Sequence, residues 1–146
     1  MPTTGIDCEV VLDGTGYFVK PGTYSMKQPR IRKATVRADG GTSYVDLGPG
    51  KRVWSITFLC KNDLLRYDGS PTGLTSQQYR DALRTSYINS PGTTVQFSDP
   101  ITATAVAVHI DTYTELVTNL HTQQVPLSIG GSSGLSYEVT LELVEA

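Results

Sequence analysis

The sequence predicts a mainly β protein: an antiparallel β-sandwich or a partly closed barrel of about eight strands, flanked by one α-helix at about residues 75–88. Several short segments alternate apolar and polar residues with the period of two that is typical of strands. Glycine-rich turns separate these segments. A helical period dominates at one place only, which excludes a doubly wound α/β fold. The length of 146 residues is that of a single domain, so residues 1–146 are expected to fold as one unit.

Two short strands are predicted near the beginning of the chain. Residues 6–12 alternate well enough for an opening strand, and residues 13–16 form a turn. Residues 17–20 form a second strand, which ends at Pro21-Gly22. The Gln28-Pro29 pair predicts an edge strand or a loop, because a proline cannot donate a hydrogen bond within a central strand.

Residues 30–60 are predicted to form an antiparallel meander. It contains a basic extended segment, a tight turn at Asp39-Gly40-Gly41, a short strand, and a second turn around Pro49. The last strand of the meander is rich in β-branched and aromatic residues. It places four residues on one face, which we expect to be buried: Trp54, Ile56, Phe58 and Cys60.

A loop at residues 62–73 leads into the predicted helix. Thr75 is a good N-cap, and Gln78 follows three residues later, which is the pattern of a capping box. Tyr79, Leu83 and Tyr87 then recur every four residues on one stripe. A helix of this length with an aromatic face can cover one open end of a barrel.

The remaining strands are predicted at residues 94–97 and 101–112, at an edge over residues 123–129, and at the end of the chain. Residues 114–122 are compatible with either a helical turn or a strand, and residues 130–134 with a loop or a hairpin tip. The terminal strand alternates most regularly. Its inward-facing residues are predicted to be Leu135, Tyr137, Val139, Leu141 and Leu143.

Opposite charges are concentrated in two parts of the chain, although the net charge is only −2. Seven of the twelve basic residues lie between Lys27 and Arg52, while residues 110–146 contain five acids and no Lys or Arg. They form either two solvated faces or two surfaces that meet head to tail between subunits of a ring. The candidate interface residues are Arg30, Arg32, Lys33, Arg37, Lys51, Arg52, Asp111, Glu115, Glu138 and Glu142.

The cysteines and the N-terminal sequence indicate in which cellular compartment the protein is expected. Cys8 and Cys60 both lie in predicted strands, where two buried thiols are the simplest interpretation and a disulfide stays open. The N-terminus lacks the basic start and apolar run of a signal peptide, and no window approaches a membrane span. We therefore expect a protein made and used on the cytoplasmic side, without membrane contact.

No pattern in the sequence predicts an enzyme, a cofactor or a metal site. His109 and His121 have no cysteine or second histidine at a ligand spacing. Residues 130–134 resemble a phosphate-binding loop but lack the following Lys and helix. Glu138 and Glu142 lie about 13 Å apart by strand rise, too far for a glycosidase pair. The net charge argues against a nucleic-acid binder.

With these residues in view, the chain resembles structural proteins of the tail or baseplate of tailed bacteriophages with the tail-tube-like fold. The resemblance rests on three features: residues 36–41 around the Arg37–Gly40 turn, the following strand at 51–60, and the helix at 75–88. It implies a β-barrel or sandwich with one flanking helix, whose copies close into a ring, usually of six. The distal tail protein, tube subunit, terminator and neck adaptor are all compatible with it.

The resemblance implies a mechanical function. A ring of this kind holds a channel open for the transient passage of DNA and connects the tail or baseplate proteins above and below it. The protein would then be assembled in the host cytoplasm and reside in the tail of the virion. The alternative is a ligand- or carbohydrate-binding β-sandwich that uses Trp54 and several tyrosines as stacking platforms.

Overall fold

A computed structural model describes residues 2–102, 104–118, 128–129, 132–133 and 135–146. Within these residues the chain forms eleven strands and one helix. In chain order they are β1 (Val10–Leu12), β2 (Thr15–Val19), β3 (Ser25–Lys27), β4 (Arg30–Val36), β5 (Thr42–Pro49), β6 (Val53–Cys60), α1 (Ser76–Ile88), β7 (Val95–Ser98), β8 (Ala105–Val117), β9 (Ser128–Ile129), β10 (Ser132–Ser133) and β11 (Tyr137–Glu145).

Six of these strands close into an antiparallel barrel. The order around it is β11, β8, β7, β1, β2 and β6, and β11 closes the circle because it pairs with β6 as well as with β8. Strand β3 continues alongside β6 beyond the end of β2. The predicted fold class is confirmed, and of the two expected architectures the structure has the barrel.

The barrel is filled by the alternating residues that the sequence predicts to be buried. The inward residues of β6 and β11 are almost completely buried, and they meet large side chains from other strands. The rings of Tyr17 and Phe58 pack edge to face with centroids 5.3 Å apart, as do those of Trp54 and Phe97 at 5.2 Å. Each such side chain contributes about 1.5–3 kcal/mol through its burial. This aromatic core fills and stabilises the barrel.

Helix α1 begins and ends as predicted. The Thr75 hydroxyl accepts the Gln78 amide, and the Gln78 side chain accepts the Thr75 amide, which completes the capping box. Tyr79 and Leu83 are buried in the barrel core. Tyr87 lies half-exposed and stacks on Tyr113 with centroids 5.7 Å apart. The helix therefore packs its aromatic stripe against the barrel.

The predicted meander is wrong in one respect. Strands β4 and β5 pair with each other, but β5 does not continue into β6, whose neighbours are β11, β2 and β3. Residues 30–49 consequently form a separate two-stranded ribbon. A turn at Gly48–Gly50 was expected to return the chain to the same sheet. Instead, β11 pairs with one edge of β6, and β2 and β3 pair with the other edge.

Smaller differences concern the ends of elements. The opening strand is limited to β1, because residues 5–7 form a turn. Strand β8 extends through residues 114–117, where the sequence left helix and strand open. An edge strand was predicted at residues 123–129 and a loop or hairpin tip at residues 130–134. Of these two segments, the structure describes only the antiparallel pair β9–β10. The other residues of the two segments, and His121, lie outside the described residues. Both cysteines are free and buried. No helix in the described ranges is long and apolar enough to cross a membrane.

Candidate interaction surface

The β4–β5 ribbon, residues 30–49, is the most distinctive surface of the molecule, and we call it the arm. Every residue of β4 is exposed, and so is most of β5. The register places Ala34 opposite Tyr44 and Lys33 opposite Val45, so these two pairs lie on opposite faces. Neither face is covered by the barrel or by α1.

Large apolar side chains are exposed on both faces of the arm. Val36 is 76% exposed and Tyr44 is 67% exposed on one face. Ile31 and Val45 are about half-exposed on the other, and Leu47 protrudes where the register shifts. These apolar side chains have no hydrophobic core to join within the described part of their own chain.

The arm is nevertheless well fixed at its base and at its tip. At the base, the Gly50 amide donates to the Pro29 carbonyl at 2.5 Å, and the Gln28 side chain donates to Gly50 at 3.0 Å. At the tip, the Arg37 amide donates to the Gly41 carbonyl at 2.7 Å, and Asp39 accepts the Gly41 amide. The arm thus has a defined shape before it meets a partner.

The structure separates the ten predicted interface residues into two groups. Four of them have partners in their own chain. Arg52 binds Glu145 at 2.7 Å and lies over the Trp54 ring. Arg30 binds Asp46 at 2.6 Å within the arm. The other two residues of this group are carboxylates: Glu138 binds Lys20 at 3.0 Å, and Glu115 binds Arg80.

The other six predicted residues lie at the surface. Arg32, Lys33 and Arg37 are exposed on the arm, and Lys51 follows it. On the outer wall of the barrel, Asp111 and Glu142 are exposed, with Glu142 accepting a hydrogen bond from Thr112 at 3.2 Å. None of these six has a salt-bridge partner within the part of the chain that the structure describes. Charge complementarity between subunits stays a prediction that rests on this second group.

A cavity of about 470 Å³ lies between the N-terminal segment, the β1–β2 turn and the loop before α1. Asp7 and Arg66 give its lining one charge of each sign. The Asp7 carboxylate accepts the Thr3 amide at 3.0 Å, which holds its orientation. The other side chains of the lining include Phe18, Thr72, Leu74 and Tyr79. No sequence pattern predicts this cavity, because the fold brings together residues that are far apart in the chain.

The apolar surroundings of the cavity are exposed as well. Ile6, next to Asp7, and Leu65 and Tyr67, on either side of Arg66, are each more than half-exposed. The Tyr67 amide donates to the Ile6 carbonyl at 3.3 Å, so these residues adjoin. We call Ile6, Leu65, Tyr67 and Leu74 the apolar rim of the cavity.

The described residues contain no group of three His, Cys, Asp or Glu side chains that could hold a metal ion. His109 lies with Nδ1 3.1 Å from the Thr93 carbonyl oxygen, a structural hydrogen bond. Trp54 is only 1% exposed, so it cannot serve as the sugar-stacking platform that the sequence suggested. Tyr44 and Tyr67 are the most exposed of the described tyrosines.

Comparison with known family models finds no match to this chain, and no curated protein matches it in sequence. The function is therefore inferred from the surfaces described above.

Proposed function

We propose that this chain is a structural subunit that assembles with copies of itself into a ring of a phage tail, as a distal tail, baseplate or tube-like component. The ring maintains a channel and connects adjacent rings. The observation that supports this proposal is the arm, a shaped ribbon whose apolar residues have no core within their own chain.

The arm is a two-stranded ribbon that no other described element covers, which is an unfavourable arrangement for an isolated chain. A two-stranded ribbon is marginally stable in water unless a third element covers it. Covering exposed apolar area stabilises by about 25 cal/mol per Å², and Val36, Tyr44 and Leu47 all have most of their surface available. Exposed apolar surface of this extent marks interaction sites in other proteins. The arm is therefore best explained as half of an interface.

The exposure of the arm supports assembly of identical copies. In the assembly that we propose, the arm of one copy contacts a different surface of the next copy. Such heterologous contacts close into rings when the rotation between copies permits. The cations Arg32, Lys33 and Arg37 on the arm and the anions Asp111 and Glu142 on the barrel wall favour this head-to-tail direction. A net charge of −2 also suits a channel that DNA crosses without binding.

The cavity near the N-terminus favours the second candidate function, a ligand-binding module. Its volume of about 470 Å³ lies in the range of small-molecule sites, and its lining is mixed in polarity. A binding module of this kind acts as a monomer and keeps its ligand affinity when the arm is altered. The two candidates therefore differ in oligomeric state and in the role of the arm.

Sedimentation velocity over a range of protein concentrations tests the proposal. We expect the wild-type chain to form a closed oligomer, and the double variant Tyr44→Ser/Leu47→Ser to associate at least about tenfold more weakly, since each side chain loses about 1.5 kcal/mol or more of burial. Ile101→Ser is the matched control, because Ile101 is 78% exposed but lies outside the arm. A wild-type chain that stays monomeric at every concentration would contradict the proposal.

A further inference from the structure

The tip of the arm and the cavity near the N-terminus have complementary charges. Arg37 and Asp39 belong to the tip turn, where two backbone hydrogen bonds close the turn and Asp39 accepts the Gly41 amide. Asp7 and Arg66 line the cavity. Each surface thus presents one cation and one anion, and the guanidinium of Arg37 has no salt-bridge partner in the described part of its own chain.

Both surfaces also have exposed apolar residues close in the chain to their charged residues. Behind the charged tip, the arm exposes Val36 and Tyr44. Around the charged cavity lies the apolar rim, of which Ile6 and Tyr67 are the most exposed. A charged tip that enters the cavity therefore brings the apolar part of the arm against the rim. This arrangement buries apolar surface on both sides while it pairs the charges.

We propose that the arm tip of one copy inserts into this cavity of the next copy, with Arg37 facing Asp7 and Asp39 facing Arg66. This inference rests on the proposed self-assembly and names the surface that receives the arm. Because the arm and the cavity are different surfaces, the contact is heterologous and repeats around a ring.

Size and reach are compatible with the insertion. A cavity of about 470 Å³ is in the range of sites that enclose a small ligand, and the side chains of one tight turn are of that size. The seven residues of β4 carry the tip about 23 Å from its base at about 3.3 Å per residue. Few rearrangements are needed, since both the tip and Asp7 are already held by hydrogen bonds.

Charge reversal measured by sedimentation equilibrium tests the proposal. Arg37→Glu and Asp7→Lys should each weaken association of the full chain about tenfold or more, because each sets like charges against one another in a desolvated site. The double variant Arg37→Glu/Asp7→Lys should recover to within about threefold of wild type, since the pair is restored with opposite polarity. Lys27→Glu is the matched control: it reverses the charge of an exposed cation in β3, outside the arm, and a clearly smaller effect is expected.

The outcomes separate this inference from the proposed function. If the wild type forms an oligomer but Arg37→Glu weakens it no more than Lys27→Glu does, or if the double variant does not recover, the tip does not occupy the cavity and only this inference is overturned. If the wild type remains monomeric, both are overturned.

A cross-link gives a second measurement that does not depend on the stability of Asp7→Lys. Ala38→Cys at the tip, mixed with Leu74→Cys in the cavity lining, should give a disulfide-linked dimer on mild oxidation. The native thiols do not compete because Cys8 and Cys60 are buried. Ala38→Cys mixed with Ile101→Cys is the control. Equal cross-linking in the two mixtures, or none in the first, would overturn the insertion.

Discussion

At the scale of single residues, burial suppresses the chemistry of both cysteines. Desolvation raises the pKa of the Cys60 thiol to about 12 and is the main reason that the pKa of Cys8 rises to about 11. Because the thiolate is the reactive form, neither thiol should react with a disulfide reagent at pH 8 in the folded protein. Both should react at once in denaturant, and rapid labelling of the native protein would contradict this expectation.

The ion pair between Arg80 and Glu115 makes stability depend on pH. The hydrogen bond from Arg80 lowers the pKa of the Glu115 carboxyl, which also accepts the Tyr113 hydroxyl at 2.8 Å. A lowered folded-state pKa contributes stability that is complete above the unfolded-state pKa, about 4.3, and is lost as the pH falls through the folded-state value.

Glu115→Gln should therefore lower the free energy of unfolding at pH 7 by about 1–2 kcal/mol, because this pair is only about a quarter exposed. The difference from wild type should shrink in acid, as urea unfolding at pH 7 and at successively lower pH would measure. Glu142→Gln, an exposed carboxylate on the same barrel wall, is the control and should have little effect. A constant difference at every pH would show that the charge of Glu115 is not the cause.

At the scale of elements, the capping box should determine how firmly α1 is anchored. Thr75→Ala removes the side-chain oxygen that accepts the Gln78 amide, which typically costs about 1 kcal/mol. Thr75→Ser keeps that oxygen and should be nearly neutral. Thermal or urea unfolding followed by circular dichroism measures both variants. Equal loss in the two would mean that the methyl group of Thr75, rather than the cap, is what matters.

The same scale shows what local sequence can and cannot predict. The alternation in β6 and β11 and the stripe of Tyr79 and Leu83 on α1 are local signals, and the structure has them as predicted. The arm also contains apolar residues within its strands, yet they are exposed, because β6 pairs with β11 rather than with β5. A local sequence pattern does not show which strands far apart in the chain will pair.

Only part of the candidate site could be predicted from the sequence. The cluster of basic residues on the arm is visible as a run in the chain. The structure adds that Arg52 and Arg30 are already paired, whereas Arg37 has no salt-bridge partner among the described residues. The cavity could not be anticipated, since Asp7 and Arg66 lie far apart in the sequence and only the folded chain brings them into one lining.

At the scale of the whole molecule, the barrel should fold without the arm. No residue of β4 or β5 belongs to the hydrophobic core of the described chain, and the base is held by residues outside the strands, Gln28 and Gly50. Replacing residues 31–48 by a short Gly-Ser linker should leave the unfolding temperature within a few degrees of the wild-type value while abolishing oligomers. Differential scanning calorimetry and sedimentation test the two halves of this expectation. Loss of folding would instead mean that the arm supports its own barrel.

The place of β11 in the barrel also has a consequence for biosynthesis. This strand pairs along its length with both β6 and β8, so a ribosome that has not yet delivered residues 137–145 leaves two long apolar strands with open edges. The barrel wall cannot close before residues 137–145 have emerged, and until then the nascent chain exposes unpaired edges of β6 and β8 that favour aggregation. Premature stop codons upstream of Tyr137 should consequently yield insoluble product rather than a smaller working version.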